Sequence, residues 1–172
     1  MNTMLIEQRA KAFSEEHSLL MIDLGSAHGK PEGYLGVDMH EAEGVDIVCD
    51  VTEGLPFEDS SVGLIRAFDF IEHIEDKIFL FNQFYRVLAN GGTLLTHTPS
   101  SDGRGAFQDP THVAYYNENS FWYFTDDFYK SFVPEIQCNF EVLQLQTHFP
   151  SEFHVAHNIP YVIAHLEAIK HG

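Results

Sequence analysis

The stretch Leu19 to Asp38, LLMIDLGSAHGKPEGYLGVD, constrains this chain more than any other part of it. Leu19 to Leu24 is an almost unbroken apolar run, which reads as a strand covered on both faces, as in a parallel sheet. It ends in Asp23-Leu24-Gly25. Gly25 and Gly29 then give the chain places to turn, and let backbone N–H groups approach a ligand with no Cβ in the way. Tyr34 to Val37 is a second apolar strand, closed by Asp38. An acidic residue at the carboxyl end of a second strand is where a dinucleotide fold holds a ribose diol. A nucleotide-binding loop between two buried strands is therefore the expectation. Turn-capping carboxylates at Asp23 and Asp38, and ligand-free turns at the glycines, are the plainer alternatives.

Composition narrows the partners. A chain of 172 residues with 44% hydrophobic content is the size of one domain with one core, spanning residues 1–172. Its formal charge of −17 sets up a field that repels phosphate backbones and anionic lipid heads, so duplex nucleic acid and membrane surfaces are not expected partners. Cys49 and Cys138 show no metal or disulfide spacing and read as free thiols. No apolar run reaches transmembrane length and MNTMLIEQRAK lacks a signal-peptide core, so a cytoplasmic location is expected.

The rest of the chain reads as support for that loop. Residues 1–18 hold a helix from Met4 to about His17, with Ile6, Ala10 and Phe13 on one face, placed against the sheet or over the pocket. Val45 to Val51 reads as a third strand and Val62 to Phe70 as a fourth. Glu75-Asp76 opens a helix carrying Ile78, Phe81, Tyr85 and Leu88, which Asn90-Gly91-Gly92 stops; Thr93 to Thr98 is the fifth strand. This order predicts an α/β fold with right-handed crossovers. Residues 100–135 join a polar loop, SSDGRGAFQDP, to a segment dense in Tyr, Phe and Trp, which suits core packing, an aromatic wall for a planar substrate, or a homodimer surface. Glu141 to Phe149 alternates as a late antiparallel edge strand, and Pro160 opens a last helix with Ile163, Leu166 and Ile169 at helical spacing.

Four segments taken together, IDLGSAHG, GYLGVDM, DIVCDVTEGLPFEDSSVGLIRAFDFIEHI and YRVLANGGTLLTHTPS, resemble the class I S-adenosylmethionine-dependent methyltransferases, specifically small bacterial and phage-type members. The resemblance covers roughly residues 19–132. It implies a Rossmann-like sheet, mostly parallel with an antiparallel edge strand, and S-adenosylmethionine as cofactor. It also gives positions their tasks. Asp23 and Gly25, with Ala27 and Gly29 keeping the backbone low, would receive the amino acid part of the cofactor. Asp38 would hold the ribose hydroxyls and Met39 would lie against the adenine. Asp50 would accept from the adenine amino group, the Val51 N–H would reach a ring nitrogen, and the backbone near Phe68 would face the methionine amino group. One departure stands out: nine residues separate Gly25 from Leu35, fewer than the roughly ten to twelve of a crossover with its helix, and Lys30-Pro31-Glu32-Gly33 breaks helices. The first crossover helix is therefore expected to be shortened. Without a full G-x-G-x-x-G, a dehydrogenase is disfavoured.

Methyl transfer needs alignment of donor and acceptor, exclusion of water and, for a protonated acceptor, a base. Asp69, Glu72 and His73 in DFIEH and His112 in DPTH fall on the carboxyl edge, so His73 and His112 are the candidate catalytic bases, with a structural role for each histidine as the alternative. The pattern is also similar to the metal site of small-RNA 3′-terminal ribose methyltransferases, which would make Asp69, Glu72, His73 and His112 ligands of a divalent metal. The expected function is methyl transfer to a small-molecule or sugar-like acceptor through oxygen or nitrogen. A catalytically silent binding or assembly module on the same fold is the competing expectation.

Overall fold

The computed structural model describes residues 2–170; Met1, His171 and Gly172 lie outside them. Helix α1 (Thr3–Glu16) starts at Asn2, whose side chain accepts from the Leu5 N–H at 3.0 Å, satisfying one of the free donors of the first turn. Strand β1 (Leu20–Leu24) follows, then a single 3-10 turn (Ser26–His28), β2 (Leu35–Asp38) and the two-residue β3 (Ile47–Val48). Beyond β4 (Val62–Phe68) and a 3-10 turn (Ile71–His73), α2 (Lys77–Val87) is capped by Asp76, which accepts from the Phe79 N–H at 2.9 Å. It leads into β5 (Leu88–Pro99), the short helices α3 (Gly105–Gln108), α4 (Trp122–Thr125) and α5 (Asp127–Lys130), then β6 (Phe140–His148), α6 (Glu152–His157) and β7 (Tyr161–Ala168).

The strands form one sheet in the order β3-β2-β1-β4-β5-β7-β6. Pairs among β1 to β5 are parallel, while β7 pairs antiparallel with both β5 and β6. A mostly parallel sheet with antiparallel pairing at its edge is thus the architecture. As expected, β6 is the half-exposed edge strand. The first crossover helix is shortened to the turn at Ser26–His28.

The sheet divides two apolar layers. Ile22, Leu24, Ile65, Ala67 and Leu94 face the larger one, where Phe81 and Phe84 of α2 meet Tyr116, Phe121 and Phe124. Phe81 is central, its ring stacked on Phe124 at 4.0 Å. Leu64 and Leu95 face the smaller layer, closed by Ile6 and Ala10 of α1 and by Tyr34. The N-terminal helix therefore lies against the sheet. Ser14 is its third fully covered position, and Phe13 is half-buried, because α1 crosses β4 over Gly63. A Cβ there would stand 2.3 Å from Ser14 Oγ, a distance only glycine avoids.

Several expectations need correction. The helix expected after Pro160 is strand β7: Val162, Ala164, Leu166 and Ala168 face the larger layer while Ile163 and His165 face the other way. A central strand is apolar on both faces, so its sequence also satisfies a helical spacing. The third strand is only Ile47–Val48, not Val45 to Val51. β4 stops at Phe68 rather than Phe70, since Asp69 adopts φ 48°, which ends extended pairing. β5 begins at Leu88, so Asn90-Gly91-Gly92 lies within the strand, with Gly91 at φ 82°, and does not stop the helix. The aromatic segment is divided: Tyr116, Phe121 and Phe124 are core, while Trp122, Tyr123, Phe128 and Phe132 are exposed. No helix among the described residues is long and apolar enough to cross a membrane.

Candidate active site

The strand order reverses between β1 and β4, and an open α/β sheet leaves its ligand crevice at the carboxyl ends of such a pair. A cleft of about 300 Å³ lies there. Strands β1 to β4 each contribute at their carboxyl ends: Gly25 and Ala27 after β1, Asp38 and Met39 at the end of β2, Asp50 and Val51 after β3, and Asp69, Phe70 and His73 after β4. Gly25 takes φ 76°, the left-handed conformation that turns the chain sharply out of β1, and the Phe70 ring lies 3.2 Å from where its Cβ would be.

The two exposed-side carboxylates are held locally. Asp38 accepts from the Ala27 N–H at 3.2 Å and from the His40 N–H at 3.0 Å, tying the β1 loop to β2. Asp50 accepts from the Thr52 hydroxyl at 2.7 Å and the Thr52 N–H at 2.9 Å, and these bonds hold its carboxyl below the usual range. The capping alternative for Asp38 is therefore present in the geometry alongside its position in the cleft.

Other expected positions fall nearby but outside the lining. Asp23 is 2% exposed and points to the α1 side of the sheet, where Arg66 Nη1 donates to it at 2.7 Å. Burial raises its pKa and Arg66 opposes that rise. Phe68 lies on that side too, under the Arg66 guanidinium at 4.1 Å. Gly29 borders an adjoining recess with Lys30 and Gly44. Residues that sequence reasoning missed also line the cleft: His28, His40, Cys49, Phe70 and Ile74. Adjacency to Asp50 and Asp69 was the available signal for Cys49 and Phe70.

At the floor of the β4 side, Glu72, His73 and His112 each bring one ligand atom within 4.8 Å of the others. Glu72 is 2% exposed, and the Thr98 hydroxyl donates to its Oε2 at 2.7 Å, yet Oε1 has no hydrogen-bond partner. Burial is the main cause that raises its pKa. His73 Nδ1 lies 3.2 Å from the Thr111 carbonyl, and His112 Nδ1 lies 3.0 Å from the Ala106 carbonyl. Those contacts leave each Nε2 as the ring's ligand or base atom, that of His112 standing 3.9 Å from Asp109 Oδ2. One carboxylate oxygen and two imidazoles suit a divalent metal, and an orphaned buried oxygen is what such an ion would satisfy. Asp69, expected as a fourth ligand, stands apart from the cluster and faces the Tyr161 hydroxyl.

Comparison with known proteins is consistent with this geometry. The family described as a methyltransferase domain matches residues 6–96. Among curated proteins, no sequence matches the chain. Solved structures of similar shape include a Haemonchus contortus phosphoethanolamine N-methyltransferase 2 in complex with S-adenosyl-L-methionine, at TM-score 0.55 and 14% identity, over 95% of this chain and 53% of that one. This chain thus spans about half the length of that enzyme. A geranyl diphosphate C-methyltransferase from Streptomyces coelicolor, in complex with Mg2+, geranyl diphosphate and S-adenosyl-L-homocysteine, is similar at TM-score 0.55 and 14% identity, over 95% of this chain and 79% of that one. An Archaeoglobus fulgidus SAM-dependent methyltransferase is similar at TM-score 0.59 and 14% identity, over 94% of each chain.

Proposed function

The chain belongs to the methyltransferase-domain family, and from that premise we propose that it transfers a methyl group from S-adenosylmethionine to a small-molecule or sugar-like acceptor through an oxygen or nitrogen nucleophile. The observation that carries this reading is the cleft at the strand reversal, which brings Asp38, Asp50 and His73 to one opening. The cofactor would supply an electrophilic methyl on a sulfonium whose charge disappears during transfer. Asp38 would hold the ribose hydroxyls, Met39 would cover the adenine, and Asp50 and the Val51 N–H would hold the adenine's edge. Gly25, Ala27 and Gly29 would keep the loop backbone low for the amino acid part, and the backbone at Phe68 would hold its amino group. Asp23 supports that loop from behind through Arg66.

His73 takes the acceptor proton, and His112, whose ring centroid is 5.0 Å from that of His73, relays or orients it. With a divalent metal present, Glu72, His73 and His112 would hold it, and it would supply Lewis-acid polarisation of an acceptor hydroxyl. Similar folds are solved with phosphoethanolamine and geranyl diphosphate enzymes, which supports a small-molecule acceptor. The charge of −17 supports the exclusion of duplex nucleic acid and anionic membranes as partners. Isothermal titration with S-adenosylmethionine and S-adenosylhomocysteine tests the reading; no binding at millimolar cofactor would sink it.

A catalytically silent binding module is the second reading. Asp38 is already engaged by two backbone N–H groups, and exposed Phe128 and Phe132 could serve a second copy of the chain. Cofactor binding without turnover on any small-molecule acceptor, together with a dimer by light scattering, would favour it.

A further inference from the structure

The outer half of the sheet carries a second cluster, which borders the cleft where Tyr161 meets Asp69. His97 on β5 and His148 on β6 flank β7, in register with Ile163 and Tyr161 respectively. Their side chains lean over β7 until the two Nε2 atoms stand 3.1 Å apart, with ring planes within 18°. The Tyr161 ring forms the floor, 4.6 Å from His97.

A local irregularity puts His148 there. Val142 pairs with Leu166, but Gln144 pairs with His165, so Leu143 is a bulge and every later residue of β6 changes face. Without that extra residue His148 would point to the face opposite His97.

Two neutral imidazoles meet Nε2 to Nε2 only if one carries its proton on Nε2 and the other on Nδ1. A cation can replace that proton, for two nitrogens bound tetrahedrally at roughly 2.0–2.1 Å stand about 3.3 Å apart. Burial is the largest cause bringing His97 down to about 4, and burial also lowers His148, so both rings offer lone pairs at neutral pH. Asp69 favours positive charge at His97, while His148, Arg66 and His154 oppose it; Arg66 is held by Asp23. No third histidine, cysteine or carboxylate among the described residues has a ligand atom within 4.8 Å of both nitrogens. His154 on α6 shares the cluster, its Nδ1 taken by Ser151 Oγ at 2.7 Å and its ring 5.7 Å from Tyr161.

We propose that His97 and His148 form a binding site for a first-row transition cation of the zinc or copper class, separate from the Glu72 cluster and clamping β5 to the edge strand β6 across β7. Two imidazoles and water complete the coordination.

The test is isothermal titration of the full chain with zinc chloride in the Glu72→Gln background, which weakens the other cluster, against Glu72→Gln/His148→Gln. Binding of one zinc that weakens by on the order of tenfold or more in the double variant, with unchanged circular dichroism, is the expected result. Equal binding in the two proteins would overturn the site. Long-range proton–nitrogen spectra of the wild-type rings give an answer that does not depend on a variant folding. In the zinc-saturated protein both rings should be Nδ1–H tautomers, and ring nitrogens of His97 and His148 that zinc leaves unmoved would equally overturn it.

Discussion

Replacing Glu72 with Gln separates the cost of a buried charge from its use. The carboxylate is 2% exposed, one oxygen accepts from Thr98 and the other has no partner. Glutamine keeps the shape and the Thr98 bond while removing the charge. Because burial raises the folded-state pKa, the ionised form is what folding disfavours. The stability lent by the protonated form is complete below the ordinary value of 4.5 and is lost as pH rises through the folded pKa. In metal-free protein the variant should therefore match wild type near pH 4 and exceed it at neutral pH. Glutamine places an amide where Oε1 has no partner, so the gain comes from removing the buried charge alone: about 1.4 kcal/mol for each pH unit by which burial lifts the carboxyl, or roughly 3–6 °C in melting temperature for a chain of this size. Adding Mn2+, which two imidazoles alone hold poorly, should reverse the ranking, since wild type gains a ligand-linked increment at the Glu72 cluster that the Glu72→Gln protein forfeits. Differential scanning calorimetry across pH 4 to 8, with and without metal, reads both effects. A variant destabilised equally at every pH, or one that keeps the full metal increment, would refute the argument.

Three further outcomes follow from the geometry. Asp38→Ala should retain the fold but bind S-adenosylmethionine on the order of tenfold or more weakly by calorimetry, since charge-assisted hydrogen bonds are lost; unchanged affinity refutes its ribose role. Cys49 lines the cleft at intermediate exposure, so a thiol reagent should modify it, slowed because burial and Asp50 raise its thiol, and S-adenosylhomocysteine should protect it, whereas Cys138, 2% exposed and with its thiol pushed up to about 12, should react only after unfolding. Equal labelling of Cys49 with and without cofactor would place the donor elsewhere. Gly63→Ala forces a Cβ against Ser14 and should cost about 1–3 kcal/mol in urea melts, with a loss of helicity from α1; a neutral result would mean that α1 does not cross β4 so closely.

Much of the parallel half of the fold was readable because its signals are local. Apolar runs at Leu19–Leu24 and Val62–Phe70 are too short for helices and read as covered strands, found at Leu20–Leu24 and Val62–Phe68; glycines at 25 and 29 mark the turn, and chain length alone forbids a full helix before β2. The C-terminal strand was not readable: Tyr161–Ala168 is buried on both faces between β5 and β6, so its pattern serves a helix equally well until its neighbours are known. The Asp23 environment was hidden for a similar reason, as Arg66 meets it only through the pairing of β1 with β4.

By itself, then, the sequence determined which residues could line a nucleotide cleft, because strand ends and turn glycines are properties of short segments. Only the tertiary structure decided which side chains turn into that cleft and which turn away. It brought Glu72, His73 and His112 together across some forty positions and His97 to His148 across β7. Such meetings depend on register, and register is set by long-range pairing and one bulge at Leu143, which short-range pattern does not encode.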